Sequence, residues 1–414
     1  MKPRLLLLVP TSTYRAEAFV RAAQRLPVDL SIASEVPSSL SHLHPVDLPV
    51  FSFTDPTAAV DTARAFAVQT PVGGVLAVDD QSVLPAATIA RALGLPHHAP
   101  EAVLRALNKY LGREAMRAVG LHVPRYRLLP IAPGADAAVV ERDVGYPAVL
   151  KPLAMAASRG VVRVDDRRSF LRAFTRLAAL IRSQPARDEL AAAHILAEEY
   201  VPGWEVAVEG LCIGGRVHVL AIFDKPDPLE GPLFPETMYV TPSRLPPAAQ
   251  ANIVATAERT VRALGLEHGP VHVELRGHGD VVVPIEAHAR SIGGLCSRVL
   301  RFTDGRSLED LIVENALGWV QTPPAREDRA AGVWMMQAPR EGRFAHMRGV
   351  SAAGEVAHVD EVIVSARPGQ TLQPLPDGFL YLGFIFARAG SPRQVEAALR
   401  TAFSRLAPVF EDPA

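Results

Sequence analysis

Residues 271–294 read VHVELRGHGDVVVPIEAHARSIGG. Two adjacent apolar strands are expected here, Val271–Leu275 and Val281–Glu286, each carrying a carboxylate, Glu274 and Glu286. Period two along a strand puts Glu286, His288 and Arg290 on one face. An acid, an imidazole and a guanidinium aligned on a buried strand are costly unless partnered. A divalent cation together with a phosphate would partner them. Two carboxylates, completed by water and phosphate oxygens, suit Mg²⁺. Arg290 would then stabilise charge on a transferring phosphoryl group. The alternative is a structural Glu–Arg ion pair. Gly293 and Gly294 add a stretch that a ligand can approach closely.

Upstream, residues 145–161 read GYPAVLKPLAMAASRGV. A strand ends in Lys151-Pro152, and the small-residue loop Ala154–Gly160 leads to a second strand. Loop N–H groups and a Lys ammonium are one way to hold polyphosphate; a flexible hairpin with a solvated Lys is the other interpretation. No GxxxxGK[ST] string occurs, so this is not a Walker loop. In AEEYVPGWE (197–205) an apolar strand enters a short linker with Glu198 and Glu205, carboxylates able to accept from an amino group or from ribose hydroxyls. Ordinary edge-strand glutamates are the alternative.

The 414 residues suit two to three domains. Hydrophobic residues form 49% and charged residues 21%, which supplies buried cores and excludes wholesale disorder. Lys plus Arg is 43 and Asp plus Glu is 44, so a dedicated nucleic-acid or anionic-membrane binder is not expected. The two cysteines, Cys212 and Cys296, exclude a disulfide framework and suit a reducing compartment. No run approaches a membrane span. The opening MKPRLLLLVP reads as a buried first strand, Leu5–Val9, instead of a secretory signal, and a cytoplasmic protein is expected.

The first hundred residues alternate apolar runs (Leu5–Val9, Leu30–Ala33, Pro49–Phe53, Gly74–Val78) with helical stretches (Arg15–Arg25, Ala58–Val68, Gln81–Leu93). This is the pattern of a doubly wound parallel sheet, whose ligands lie beyond the carboxyl ends of its strands. Thr11–Tyr14 and Asp79–Gln81 occupy such ends; for Asp79 and Asp80 a helix N-cap competes with a substrate contact. Two helices broken near Lys109 follow over Ala99–Val119, and the remainder is α+β. Residues 321–329, TPPAREDRA, read as a linker before a small tail domain.

In order, Lys109, Lys151 with its loop, Glu198…Glu205, Glu274 and Glu286-x-His288-x-Arg290 resemble the ATP-grasp superfamily. GLPHHAPEAVLRALNKYLGREAMRAVGLHVP (94–124) and the tail YLGFIFARAGSPRQVEAALRTAF (381–403) are similar to the carboxylate–amine ligase branch of L-amino acid ligases and carnosine synthases. The resemblance implies an α/β and α+β fold. An N-terminal pre-ATP-grasp domain with a doubly wound parallel sheet would span 1–100. An ATP-grasp domain would span 101–320, its flap-bearing part about 125–200 and its metal-binding part about 201–320. A small C-terminal α+β domain would span 330–414.

The resemblance further implies an ATP-dependent ligase that forms an amide through an acyl phosphate, with a small-molecule carboxylate and amine as substrates, no nucleic-acid or membrane partner, and a homodimer. Lys109 and Lys151 would bind ATP phosphates beneath a mobile flap, Ala156–Val161, that includes Ser158, Arg159 and Gly160. Glu198 would accept from the adenine amino group, the backbone of Glu199 and Val201 would read the ring edge, and Glu205 would hold ribose. Glu274 and Glu286 would ligate Mg²⁺ or Mn²⁺, and Arg290 would steady the acyl phosphate. The alternatives are a biotin-carboxylase-like or purine-biosynthesis-type enzyme on the same fold, and a non-catalytic ATP-binding protein.

Two departures from the pattern stand out. The superfamily commonly has Asn where this chain has His288, a softer ligand than Mg²⁺ prefers; His288 is expected to orient Glu286 or face substrate. Related ligases carry a His near Tyr239, within DKPDPLEGPLFPETMYVTPSRLP (224–246). Lys225, Glu236, Tyr239, His288, Gly293 and Gly294 are the substrate-contact candidates, with a loop ion pair as the alternative for Lys225 and Glu236. Cys212 and Cys296 are expected in the core. Trp319, Trp334, Met335 and Met336 are expected between domains, and the arginines around 167–187 on a solvated helix face.

Overall fold

The computed structural model describes residues 2–11, 13, 15–36, 50–132, 134–184, 188–378 and 380–411. The N-terminal unit runs β1 (Arg4–Leu8), α1 (Ala16–Arg25), β2 (Asp29–Ala33), α2 (Pro56–Gln69), β3 (Gly74–Ala77) and α3 (Asp80–Ala92). Leu5 to Leu8 are fully buried, because β1 is the middle strand of the parallel sheet β2-β1-β3 and helices cover both of its faces. Part of the expected strand at Pro49–Phe53 lies outside the described residues; Val50 makes a single parallel bridge to Ser34. Ser12, Tyr14 and Arg187 also lie outside them.

Two helices follow, α4 (Pro100–Leu107) and α5 (Lys109–Ala118). Their break falls at Asn108, whose side chain accepts from the backbone N–H groups of Tyr110 and Leu111 and so starts a new helix at Lys109. The flap-bearing unit consists of β4 (Tyr126–Pro130), α6 (Ala137–Asp143), β5 (Ala148–Pro152), β6 (Val162–Val164), α7 (Arg167–Arg182), α8 (Glu189–Ala193) and β7 (His194–Glu199), with an antiparallel sheet β4-β7-β5-β6. A capping box between Asp166 and Ser169 starts α7, and Phe170, Phe174 and Leu177 bury its inner face; Arg167, Arg168, Arg172, Arg176 and Arg182 point to solvent as expected.

The central unit is β8 (Trp204–Ile213), β9 (Arg216–Asp224), β10 (Met238–Thr241), α9 (Pro247–Leu264), β11 (Gly269–His278), β12 (Val281–His288) and α10 (Leu308–Ala316). The C-terminal unit is β13 (Ala330–Gln337), β14 (Gly342–Arg348), α11 (Val350–Gly354), β15 (Val359–Val364), β16 (Thr371–Leu372), β17 (Tyr381–Ala389), α12 (Pro392–Phe403) and β18 (Ala407–Phe410). These two units share one eight-stranded sheet, β12-β11-β8-β9-β10-β13-β17-β15. The segment 321–329 is therefore no loose tether: Thr303 N–H donates to Ala325 O at 2.9 Å and Glu327 N–H to Arg301 O at 3.0 Å.

One hydrophobic core runs from Leu5, Leu7 and Phe19 through Leu211 and Phe223 to Met335 and Phe384. At roughly 1.5–3 kcal/mol per fully buried large apolar side chain, it fixes the N-terminal unit, the central sheet and the C-terminal unit against one another. Met335 sits between units as expected. Trp334 and Met336 join a second core that the C-terminal unit shares with Met238 and Val240 of β10, so they too pack between units, and Trp334 stacks on Phe403 at 4.3 Å. Trp319 is 43% exposed. Among the described residues no helix is long and apolar enough to cross a membrane.

Candidate functional site

A cleft of about 1100 Å³ opens where the N-terminal unit, the flap-bearing unit and the large sheet meet. It is lined by Lys109, Lys151, Ser158, Arg159, Glu198, Glu199, Val201, Glu205, Glu236, Tyr239, Glu274, Glu286, His288, Arg290, Gly293 and Gly294. Most of the sequence candidates thus converge on one space, although they come from strands and loops far apart in the chain.

Glu274 and Glu286 are direct partners across β11 and β12, and the register shifts immediately after Glu274. Their side chains project to the same face. Lys109 Nζ lies 2.8 Å from Glu286, and Lys225 Nζ lies 3.2 Å from Glu274. Burial opposes ionisation of both acids. The charge of Lys225 nevertheless holds Glu274 well below the usual carboxylate range, and that of Lys109 lowers Glu286. Both acids are therefore anionic hard-oxygen donors, and cations already gather on them. Among the described residues no group of three or more His, Cys, Asp or Glu is arranged to hold a metal. Two carboxylates alone fit Mg²⁺ or Mn²⁺ if phosphate oxygens and water complete the shell.

His288 sits 3.5 Å from Glu286 through Nε2 and 3.6 Å from Asp80 through Nδ1. It follows the face shared by Glu286 and Arg290, as period two requires. Arg290 does not pair with Glu286. It donates to Asp80 at 2.7 Å, to His288 Nδ1 at 3.3 Å and to Ser291 O at 3.0 Å. The structural Glu–Arg pair is thus absent, and Asp80 of the N-terminal unit takes that place. Asp79 occupies the N-cap position of α3 as the N-cap interpretation expects, but its side chain makes no capping bond and its carboxylate lies 3.4 Å from Arg15.

Lys151 sits on the fully buried strand β5 and pairs with Glu198 of β7. Arg113 of α5 grips the same carboxylate, Nε to Oε1 at 2.6 Å and Nη2 to Oε2 at 3.2 Å. Arg113 and Glu198 are each 1% exposed. Burial raises the Glu198 pKa, but the two cations outweigh it and bring it to about 2. Both Glu198 oxygens are engaged by Arg113 or Lys151, so its side chain acts as the counter-ion that holds Lys151 in place. Burial and Arg113 lower the Lys151 pKa against the opposing pull of Glu198.

Lys225 donates to Glu205 at 2.6 Å and to Glu236 at 2.9 Å, besides Glu274. The ion-pair alternative for Lys225 and Glu236 therefore holds. Burial works against the charge on Lys225, yet three carboxylates drive its pKa well upward. Tyr239 donates to Glu236 at 2.7 Å, and Tyr381 of the C-terminal unit does so at 3.4 Å.

The small-residue loop carries left-handed backbone at Ala157 (φ 57°) and Ser158 (φ 56°), and the N–H groups of Arg159 and Val161 donate back to Ala156 O at 3.3 Å and Ser158 O at 3.1 Å. Gly160 (φ 74°) packs so that a Cβ would meet Leu177 at 2.9 Å. Its N–H donates to Pro376 O at 2.9 Å, and Arg159 Nε donates to Asp377 O at 2.8 Å. Arg159 is thus tied to the C-terminal unit, not to the cleft centre.

Sequence reasoning missed Arg113, Arg276, His272 and Glu209. Arg113 lies four residues after Lys109, hence on the same helix face. His272 and Arg276 share the strand face of Glu274 by period two. Arg276 is buried and donates to Leu229 O at 2.8 Å, with Glu205 3.5 Å away. His272 pairs with the fully buried Glu209 at 3.0 Å. Cys212 and Cys296 are buried, and burial pushes the Cys212 thiol up to about 12 and that of Cys296 further up.

Residues 20–97 match the ATP-grasp N-terminal domain, residues 144–299 the ATP-grasp domain, and residues 334–411 the L-amino acid ligase C-terminal domain 2. The crystal structure of an L-amino acid ligase from Bacillus licheniformis is similar over 99% of both chains, with TM-score 0.83 and 28% identity. An uncharacterised protein of Sinorhizobium fredii is 24% identical over 96% of this chain and 81% of its own length. Alanine–anticapsin ligase of Bacillus subtilis is 28% identical over 50% of this chain, and the match spans 46% of that enzyme's length. With three successive domain matches and a cleft built from paired strand carboxylates, buried lysines and a strand-end arginine, the chain belongs to the ATP-grasp family, in its carboxylate–amine ligase branch.

Proposed function

We propose that the chain is an ATP-dependent ligase that joins the carboxylate of one small molecule to the amine of another, releasing ADP and phosphate. The observation that carries this is the register pair Glu274–Glu286 in one cleft with Lys109, Lys151 and Arg290. Similarity to an L-amino acid ligase and to alanine–anticapsin ligase favours amino acids on both sides of the new bond.

Lys109 and Lys151 are already largely stripped of water, and they bind triphosphate oxygens without a further desolvation cost. Glu205 accepts from ribose, and the backbone at Glu199 and Val201 reads the adenine edge. Glu198 holds Lys151. Glu274 and Glu286 would hold Mg²⁺ or Mn²⁺, which would supply neutralisation of phosphate charge. The substrate carboxylate attacks the γ-phosphorus, the bond to the β-γ bridging oxygen breaks, and Arg290 stabilises the charge on the equatorial oxygens. The amine, as its free base, then attacks the acyl phosphate carbon, and phosphate leaves with the bonding pair. The loop 156–161 excludes water that would otherwise hydrolyse the intermediate. Both thiols lie outside this chemistry.

A panel of amino-acid pairs with ATP and Mg²⁺, read by phosphate release and product mass, tests this function. One amide per phosphate is expected for the accepted pair. Phosphate release that requires bicarbonate and yields no amide would point to carboxylation chemistry, and no phosphate with any pair would point to a binding protein.

A further inference from the structure

Arg290 lies two residues beyond the end of β12, where no ladder hydrogen bond fixes its backbone direction. A guanidinium on a long side chain carries about 2 kcal/mol of rotamer entropy, so a catalytic arginine needs something to hold it. What holds this one comes from another unit of the chain. Asp80 opens α3, just past the carboxyl end of β3, and its carboxylate lies 2.7 Å from Arg290 Nη2. The other Asp80 oxygen lies 3.6 Å from His288 Nδ1, and the far nitrogen of that ring lies 3.5 Å from Glu286. A second contact reinforces the first: Arg15 donates to Ser291 Oγ at 2.6 Å and to the Val78 carbonyl. The N-terminal unit therefore grips residues 290 and 291 from both sides. The helix N-terminus favours an anion at position 80.

We propose that Asp80 is the positioning residue of the phosphoryl-transfer step, the carboxylate of the N-terminal unit that sets Arg290 and His288 in register with Glu286. The proposal rests on the ligase function above. Arg290 Nη2 is spent on Asp80 and His288 Nδ1 and one Nη1 hydrogen on the Ser291 carbonyl, so the donors left for substrate oxygens are those on Nε and the second Nη1 hydrogen. Preorganisation of this kind lowers the barrier without changing ground-state nucleotide affinity.

Asp80→Asn keeps the shape and removes the charge. Its kcat for amide formation is expected to fall about 10- to 100-fold, as for loss of an outer-sphere orienting carboxylate, with the KM for ATP within about threefold of wild type. Asp80→Glu is expected to recover part of the loss. Combined with Arg290→Lys, Asp80→Asn is expected to add little, because the two act as a unit. Unchanged kcat, loss of ATP-analogue affinity by calorimetry, or effects that multiply would overturn the proposal. Wild-type enzyme assayed alongside reports on the ligase function separately. A crystal structure of Asp80→Asn gives a readout independent of activity: Arg290 is expected to leave its present orientation, and an unmoved Arg290 would refute the positioning role.

Discussion

Lys109 joins three parts of the site at one ammonium: it lies 2.8 Å from Glu286 of β12, donates to Met155 O of the small-residue loop at 2.6 Å, and begins α5. Under the proposed function, a phosphate entering the cleft would compete with Glu286 for that cation, and a bound metal would compensate Glu286 for its loss. Lys109→Met should weaken ATP binding at least about tenfold and lower turnover by about 100-fold or more. Calorimetry with a non-hydrolysable analogue checks the first figure, and phosphate release the second.

Arg290 plays a different part. Its partner is Asp80 rather than Glu274 or Glu286. Arg290→Ala should retain ATP-analogue affinity within a few-fold while turnover falls on the order of 1,000-fold. Weakened nucleotide binding with normal turnover of bound ATP would show that Arg290 serves the ground state instead.

Glu198 predicts how the fold responds to acid. Burial raises its pKa, Arg113 and Lys151 lower it, and the balance leaves it at about 2. An unfolded Glu titrates near about 4.3. A depressed folded pKa contributes stability that is fully present above the unfolded value and is lost as pH falls from there through about 2. The contribution is on the order of 3 kcal/mol. Denaturant titrations at pH 7 and pH 3 should show a steeper loss in wild type than in Glu198→Gln, which starts less stable because it leaves two buried cations short of a partner.

The ties between the small-residue loop and the C-terminal unit predict a modest binding effect. Arg159 donates to Asp377 O and to Gln184 Oε1 at 3.0 Å. At about 1 kcal/mol for the hydrogen bond to Asp377 that ties the loop to the C-terminal unit, Arg159→Ala should raise the KM for ATP about fivefold and leave kcat near wild type. A fall of about 100-fold in kcat would instead indicate direct contact with the transferring phosphate.

Much of this molecule was legible in local sequence. Asn108 splits two helices where the pattern predicts a break, and the β11–β12 pair with its two carboxylates follows from apolar runs of period two. Legibility ended where distant segments meet. Nothing local reveals that Glu198 faces Arg113 and Lys151 at once. Nor does a linker-like composition at 321–329 reveal that β10 and β13 pair and carry one sheet through two units. Asp80 could be singled out from its place after a strand, but its partner Arg290 lies in another unit, and only the tertiary fold brings the two together.

The most direct test of the central claim follows oxygen atoms. The enzyme is incubated with ATP, Mg²⁺ and an amino-acid panel labelled with ¹⁸O in the carboxylates, and the phosphate and product are weighed by mass spectrometry. Attack by the carboxylate on the γ-phosphorus predicts one ¹⁸O in each released phosphate, matched by one amide formed. Unlabelled phosphate alongside a normal yield of amide would contradict the acyl-phosphate route through Glu274, Glu286 and Arg290.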